Sequence, residues 1–239
     1  MIGRLTWFAA LLGIAVVAVG VQLDRQARKT PELAVQVPEI FRSSAQPRVT
    51  ALAINSGVPG AGVEEAQKLL RRRPMPARHL RLLAQAHFAA GDNEASALAI
   101  QYAAQRGWRD SLSQEAMMQI ALAAGDRSEA ARRYAALFLI RRTDPALLEQ
   151  AGSLVFPEAG APERAVFAEI VRGADRWQNS FLSRGARVMP ADAFVELLEL
   201  SVADGTQLNC SGLEQAQRAI AREDERSAQR LAKLIDAQC

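Results

Sequence analysis

Ala89-Ala90-Gly91-Asp92 recurs as Ala123-Ala124-Gly125-Asp126, 34 residues further along the chain. Each copy stands between two apolar stretches of helical period. Leu80, Leu83, Ala84 and the pair His87–Phe88 precede the first, and Ser96, Ala99, Ile100 and Ala103 follow it. Met117, Met118, Ala121 and Leu122 precede the second, and Ala130, Tyr134, Leu137 and Phe138 follow it. Spacings of three and four residues gather these side chains on one helix face. Gly-Asp turns the chain between them. The copies correspond position by position: Gln85 with Gln119, Ser96 with Ala130, Ile100 with Tyr134. A small side chain at one place in each second helix is what close packing of a helical hairpin needs. A helix–turn–helix unit repeated at this period stacks on its neighbours, because one unit alone cannot bury its apolar face.

The pattern fades on either side. Asp144 before Pro145 is a strong helix start, and Leu147, Leu148, Ala151 and Leu154–Phe156 give the next apolar face. Gly160 and Ala165 each lie 35 residues after their counterparts Gly125 and Ala130, so a degraded third unit runs to Gly173. An earlier pair is expected over 48–73, with a Gly/Pro-rich loop at Asn55–Gly62 and Arg71–Arg73 in the last turn, where cations complement the helix dipole. The section 174–239 reads as a helical cap. Its strongest helix is Pro190–Val202, and its last two begin near Ser211 and after the polar turn Arg222–Glu225. Ser111/Gln114 and Ser211/Glu214 have capping-box spacing.

These repeats resemble the tetratricopeptide-repeat family over about Arg78–Arg142. The family's early Trp is Leu80 or Gln114 here, its Gly is Ala84 or Met118, and its Tyr is His87 or Ala121. The small Ala of the second helix is kept as Ala130 but is Ser96 in the earlier unit. Sel1-like and other α-solenoid variants stay open beside it. The expected fold class is all-α: a tetratricopeptide-like right-handed stack of helical hairpins with one N-terminal transmembrane helix. Ala and Leu dominate the periodic segments, which suits helices that approach closely.

That transmembrane helix is Leu5–Leu23, 19 uncharged residues between Arg4 and Asp24. It would be about 28 Å long, close to the thickness of a bilayer's hydrocarbon core. Trp7 would lie near one interface. A cleaved signal peptide is the rival reading, with Ala18 and Gly20 as its small-x-small pattern. The expected organisation is an anchor over 1–23, a juxtamembrane linker over 24–47, repeats over 48–173 and the cap over 174–239. Within the linker, Val35–Phe41 is apolar enough to dock on the domain. Arg25, Arg28 and Lys29 after the span outweigh Arg4 before it, so the positive-inside comparison does not favour export. The short N-terminal tail ahead of a large domain, and the two cysteines, favour it.

Cys210 precedes one terminal helix and Cys239 ends the next. An antiparallel hairpin would return the second cysteine to the first, within disulfide reach, and such a bond needs an oxidising compartment. Two unrelated thiols are the alternative. Arg- and Ala-rich usage with a short anchor suggests a bacterial inner membrane, with the soluble domain in the periplasm.

The net charge of +3 comes without any helix carrying a continuous basic face interleaved with aromatics, so nucleic acid is not expected as a partner. No nucleophile elbow, Gly-rich phosphate loop or HExxH motif occurs. His79 and His87 are the only histidines, and with two thiols they make a poor metal set. No cofactor, metal or catalytic group is expected. Trp108 and Trp177 read as packing anchors, and the carboxylates Glu64-Glu65 as solvated. In a tetratricopeptide-like stack the first helices of successive units line the concave face. The resemblance therefore implies a groove presenting Arg78, Arg81, Gln85 and Phe88, then Leu112, Glu115, Gln119 and Leu122. Two arginines near a phenylalanine suit an extended peptide or acidic group; a solvated rim is the alternative. The expected function is a non-catalytic protein-binding scaffold of an envelope complex. An envelope enzyme or subunit acting on glycan, and a secreted periplasmic binding protein, are the alternatives.

Overall fold

The computed structural model describes residues 2–173 and 175–239. Among them the chain is all-α, with thirteen α-helices, two short 3-10 turns and no strand. It divides into two compact units, one running to Gly107 and the other from Trp108 to Cys239.

The first unit begins with α1 (Ile2–Gln26), which includes the apolar stretch Gly3–Gln26, long and apolar enough to cross a membrane. Only 6% of its most apolar window is buried. Beyond α1 the chain does not run extended. It forms the 3-10 turns Pro31–Gln36 and Glu39–Phe41 and then enters α2 (Gln46–Asn55). Ala27, Ala34, Val37 and Ala45 are buried together, with Leu23, Leu33, Phe41 and Val49 packed around them. The apolar run Val35–Phe41 divides: Val37 goes inward, while Val35 and Ile40 stay exposed. Pro47, at the end of the stretch expected to be linker, is in the first turn of α2, where a missing N–H is harmless.

Helix α2 packs on α3 (Ala61–Arg72), and both touch α4 (Ala77–Ala89), which forms a hairpin with α5 (Asn93–Arg106). Gln46 and Thr50 are buried polar groups whose hydrogen bonds go to α3: Gln46 Nε2 donates to Glu65 Oε2 at 2.6 Å and Thr50 Oγ1 to the Glu65 carbonyl at 3.2 Å. Glu65 is therefore not a solvated carboxylate. Burial pushes it up, but hydrogen bonds from Lys68 and Gln46 hold it below the usual carboxylate range.

In the second unit, α6 (Ser111–Ala123) and α7 (Arg127–Leu139) form the second hairpin of the repeat. The helices α8 (Pro145–Val155), α9 (Pro162–Arg172), α10 (Asp175–Val188), α11 (Ala191–Ala203), α12 (Cys210–Ile220) and α13 (Glu225–Gln238) follow. Alternate helices stack. One row runs α7, α9, α11, α13, and the other runs α8, α10, α12. The result is compatible with a helical-repeat solenoid. Its core is aromatic, and five of the chain's eight phenylalanines join Tyr134 in it. Tyr134 meets Phe156 edge-on at 5.3 Å, Phe156 meets Phe167 at 5.3 Å, and Phe181 bridges Phe167 at 5.8 Å to Phe194 at 5.1 Å. Such tilted and T-shaped pairs suit the ring quadrupoles.

The two Ala-Ala-Gly-Asp bends are equivalent. Gly91 and Gly125 adopt φ of +80° and +76°. The following Asp92 and Asp126 donate backbone N–H to the His87 and Ala121 carbonyls, both at 2.9 Å. Their side chains then accept the Ala95 and Glu129 N–H at 3.0 and 2.9 Å. A left-handed glycine ends one helix and the next residue caps the other. The third unit lacks this device. Gly160 lies in a six-residue loop, 156–161, and gives its N–H to Glu196 Oε1 at 2.7 Å. The capping-box readings also shift. Asp110, not Ser111, caps α6, and Asn209, not Ser211, caps α12. A carboxylate or amide one or two residues upstream reaches the free N–H groups first. Asp144 caps α8 with Pro145 behind it, as the sequence indicates.

Candidate functional site

The candidate surface begins on α4. Its buried side carries His79, Ala84 and Ala86. Arg78, Arg81, Gln85 and Phe88 recur at i, i+3, i+7 and i+10, so they fall in one stripe away from that side. Arg78 and Gln85 are exposed, Arg81 is half-buried, and Phe88 is 69% exposed. The stripe thus ends in a large apolar ring left in water.

His79 fixes the root of the stripe. It is fully buried, and its Nδ1 stands 2.8 Å from the Arg73 carbonyl. That carbonyl can only accept, so Nδ1 carries the proton and Nε2 is left as an acceptor. Arg78 Nε lies 3.4 Å from Nε2 and donates to it. Burial holds the His79 imidazole below its ordinary value, and the nearby Arg78 and Arg73 charges act in the same direction. The neutral ring thus orients one of the two arginines. His87 is part-buried, with Nδ1 3.4 Å from Asp92 Oδ2.

Glu115 and Gln119 lie in the second unit, on α6. They fall on one face of that helix with the exposed Leu112, away from the buried Ser113, Met118 and Ala121. The α4 and α6 stripes therefore belong to different compact units. Trp108 does not anchor packing: it is 48% exposed, with the Arg109 guanidinium 4.6 Å above its ring. Trp177 is half-buried on α10.

Sequence reasoning missed the buried charge cluster of the second unit. Arg164 on α9 is fully buried and donates to Asp192 Oδ2 at 2.8 Å, Glu196 Oε2 at 2.6 Å and the Phe156 carbonyl at 2.8 Å. With the bond from Gly160, this ties the 156–161 loop to α11. An arginine inside an apolar helical pattern, four residues after a glycine, was the available signal. The guanidinium of Arg184 does similar work, donating to the Ile140 and Thr143 carbonyls at 3.2 and 2.8 Å, just past the end of α7. Burial lowers its pKa. These arginines are committed to the fold.

At the C-terminus Cys210 and Cys239 are joined, with Cα atoms 6.0 Å apart. Cys210 opens α12 and Cys239 follows α13, so the bond closes the terminal hairpin.

Compared with known proteins, the chain matches no protein-family model and no curated protein.

Proposed function

We propose that this chain is a membrane-anchored adaptor of the bacterial cell envelope. Its tetratricopeptide-like helical hairpins hold a protein partner, and α1 fixes them to the inner membrane. The observation that carries the reading is the stripe Arg78, Arg81, Gln85 and Phe88 on α4, with its large exposed ring beside two cations. Guanidinium groups recognise carboxylates through paired hydrogen bonds, and an exposed aromatic supplies apolar contact at little conformational cost. The natural ligand of such a stripe is an extended segment of a partner protein carrying an acidic group next to an apolar one. The joined cysteines favour a periplasmic domain, since such bonds persist in oxidising compartments.

A photocrosslinking residue at the exposed position 85 tests this in the full chain in its native membrane. A discrete adduct is expected. It should vanish in the Arg78→Ala/Arg81→Ala variant while helix content and membrane retention stay unchanged. An adduct that persists undiminished in that variant rejects the stripe as the binding surface.

A further inference from the structure

The 3-10 turn Glu39–Phe41 folds back along α1. Its Phe41 ring occupies the space that a side chain at position 20 would need, so the ring lies directly against Gly20. Gly20 stands four residues before Asp24, about 6 Å along the helix axis, and inside the uncharged run Leu5–Leu23. The turn therefore flanks the last apolar turn of the membrane helix and does not stand beyond it. At this level Ile40 is 81% exposed, and its neighbours Pro38 and Val35 are exposed too. Just past it on α1 and its end, Arg25, Arg28 and Lys29 are all exposed.

The turn is also held rigidly. Asp24 Oδ1 accepts the backbone N–H of Ser43, Ser44 and Ala45, each at 2.9 Å, so α1 itself caps the start of α2. Arg42 Nε donates to the Val37 carbonyl at 2.7 Å, and Arg72 Nη1 on α3 donates to the Arg42 carbonyl at 2.6 Å. Lys68 and Arg72 each stand 3.7 Å from a Glu39 carboxylate oxygen. A branched aliphatic side chain fixed this firmly beside a lipid-facing helix is placed for a purpose other than the protein's own core.

We propose that the 38–41 turn is an interfacial wedge. Ile40 enters the boundary between lipid headgroups and acyl chains beside α1, and Arg25, Arg28 and Lys29 meet the lipid phosphates. The occupant is the bilayer because the surface is continuous with the membrane helix and because its flanking cations match anionic headgroups. The wedge makes the membrane contact two-pronged, so the first hairpins are held at a set attitude to the lipid surface. This rests on the reading of α1 as a membrane helix.

No free cysteine exists among the described residues, so Ile40→Cys introduces a single thiol for an environment-sensitive NBD label. The labelled full chain is reconstituted in vesicles of zwitterionic and anionic phospholipid carrying nitroxides at shallow or deep acyl positions. Ile14→Cys, labelled in the same way, reports on α1. Expected are a blue-shifted emission at position 40, strong quenching by the shallow nitroxide, weaker quenching by the deep one, and little by aqueous iodide. Position 14 should be quenched most by the deep nitroxide. Iodide quenching without lipid quenching at 40, with 14 behaving as expected, overturns the wedge and leaves the anchor. Protection from both quenchers at 40 means a protein surface covers it, and also overturns the wedge. Absence of lipid quenching at 14 overturns the anchor itself.

Discussion

At the scale of single residues, Gly91 and Gly125 test the repeat most directly. Both hold left-handed backbone, and a methyl group on either would meet open space, so an alanine there feels backbone strain alone. Gly91→Ala and Gly125→Ala should each destabilise by about 1 kcal/mol, and asparagine should cost less. Denaturant titration of the two variants checks this, and unequal losses would mean the bends are not alike. His79 gives the chain a pH dependence. Its folded value lies below the ordinary 6.5, so the unfolded chain binds the proton more readily. The stability from keeping it neutral is whole above about pH 6.5 and is lost as pH falls towards the folded value. Thermal melting between pH 8 and 5 should show this decline, and His79→Gln should flatten it. Gly91 and Gly125 were legible because a repeated four-residue string fixes both bend and register. His79 was not, since nothing in its neighbours announces that the Arg73 carbonyl will turn towards it.

At the scale of elements, what could be read was the period and what could not was the partner. Helices α2 to α9 follow from apolar spacing and from Gly, Pro and Asp punctuation, which act locally. The stretch between α1 and α2 failed on the same signals. Read as a linker, it instead places its three prolines at helical turns: Pro31 opens the first 3-10 turn, Pro38 precedes the second and Pro47 lies in the first turn of α2, and Asp24 supplies the cap from 19 residues upstream of Ser43. A long-range cap leaves no local trace. The α4 stripe was legible as a helix face, but whether α4 and α6 present one groove depends on two separate compact units. The terminal hairpin shows the reverse case, where helix lengths alone bring Cys210 to Cys239. Reduction of that bond, which spans 29 residues, should lower the stability of the α12–α13 hairpin by roughly 3–4 kcal/mol in the chain-entropy picture. Hydrogen exchange of the two helices with and without reductant measures it, and unchanged protection would refute the estimate.

At the scale of the whole molecule, the chain begins with a helix long and apolar enough to cross a membrane, and the described residues form two compact all-α units. The aromatic core belongs wholly to the second unit, so that unit carries most of the buried ring area, while the first relies on small residues and hydrogen-bonded polar contacts between α2 and α3. The cysteine pair acquires a mechanical meaning in such a layout. Tension applied at the tail while α1 is held fast would pass from Cys239 straight across to Cys210, so the final two helices carry none of the load. A tether pulled to full length would come up short by roughly 100 Å of peptide.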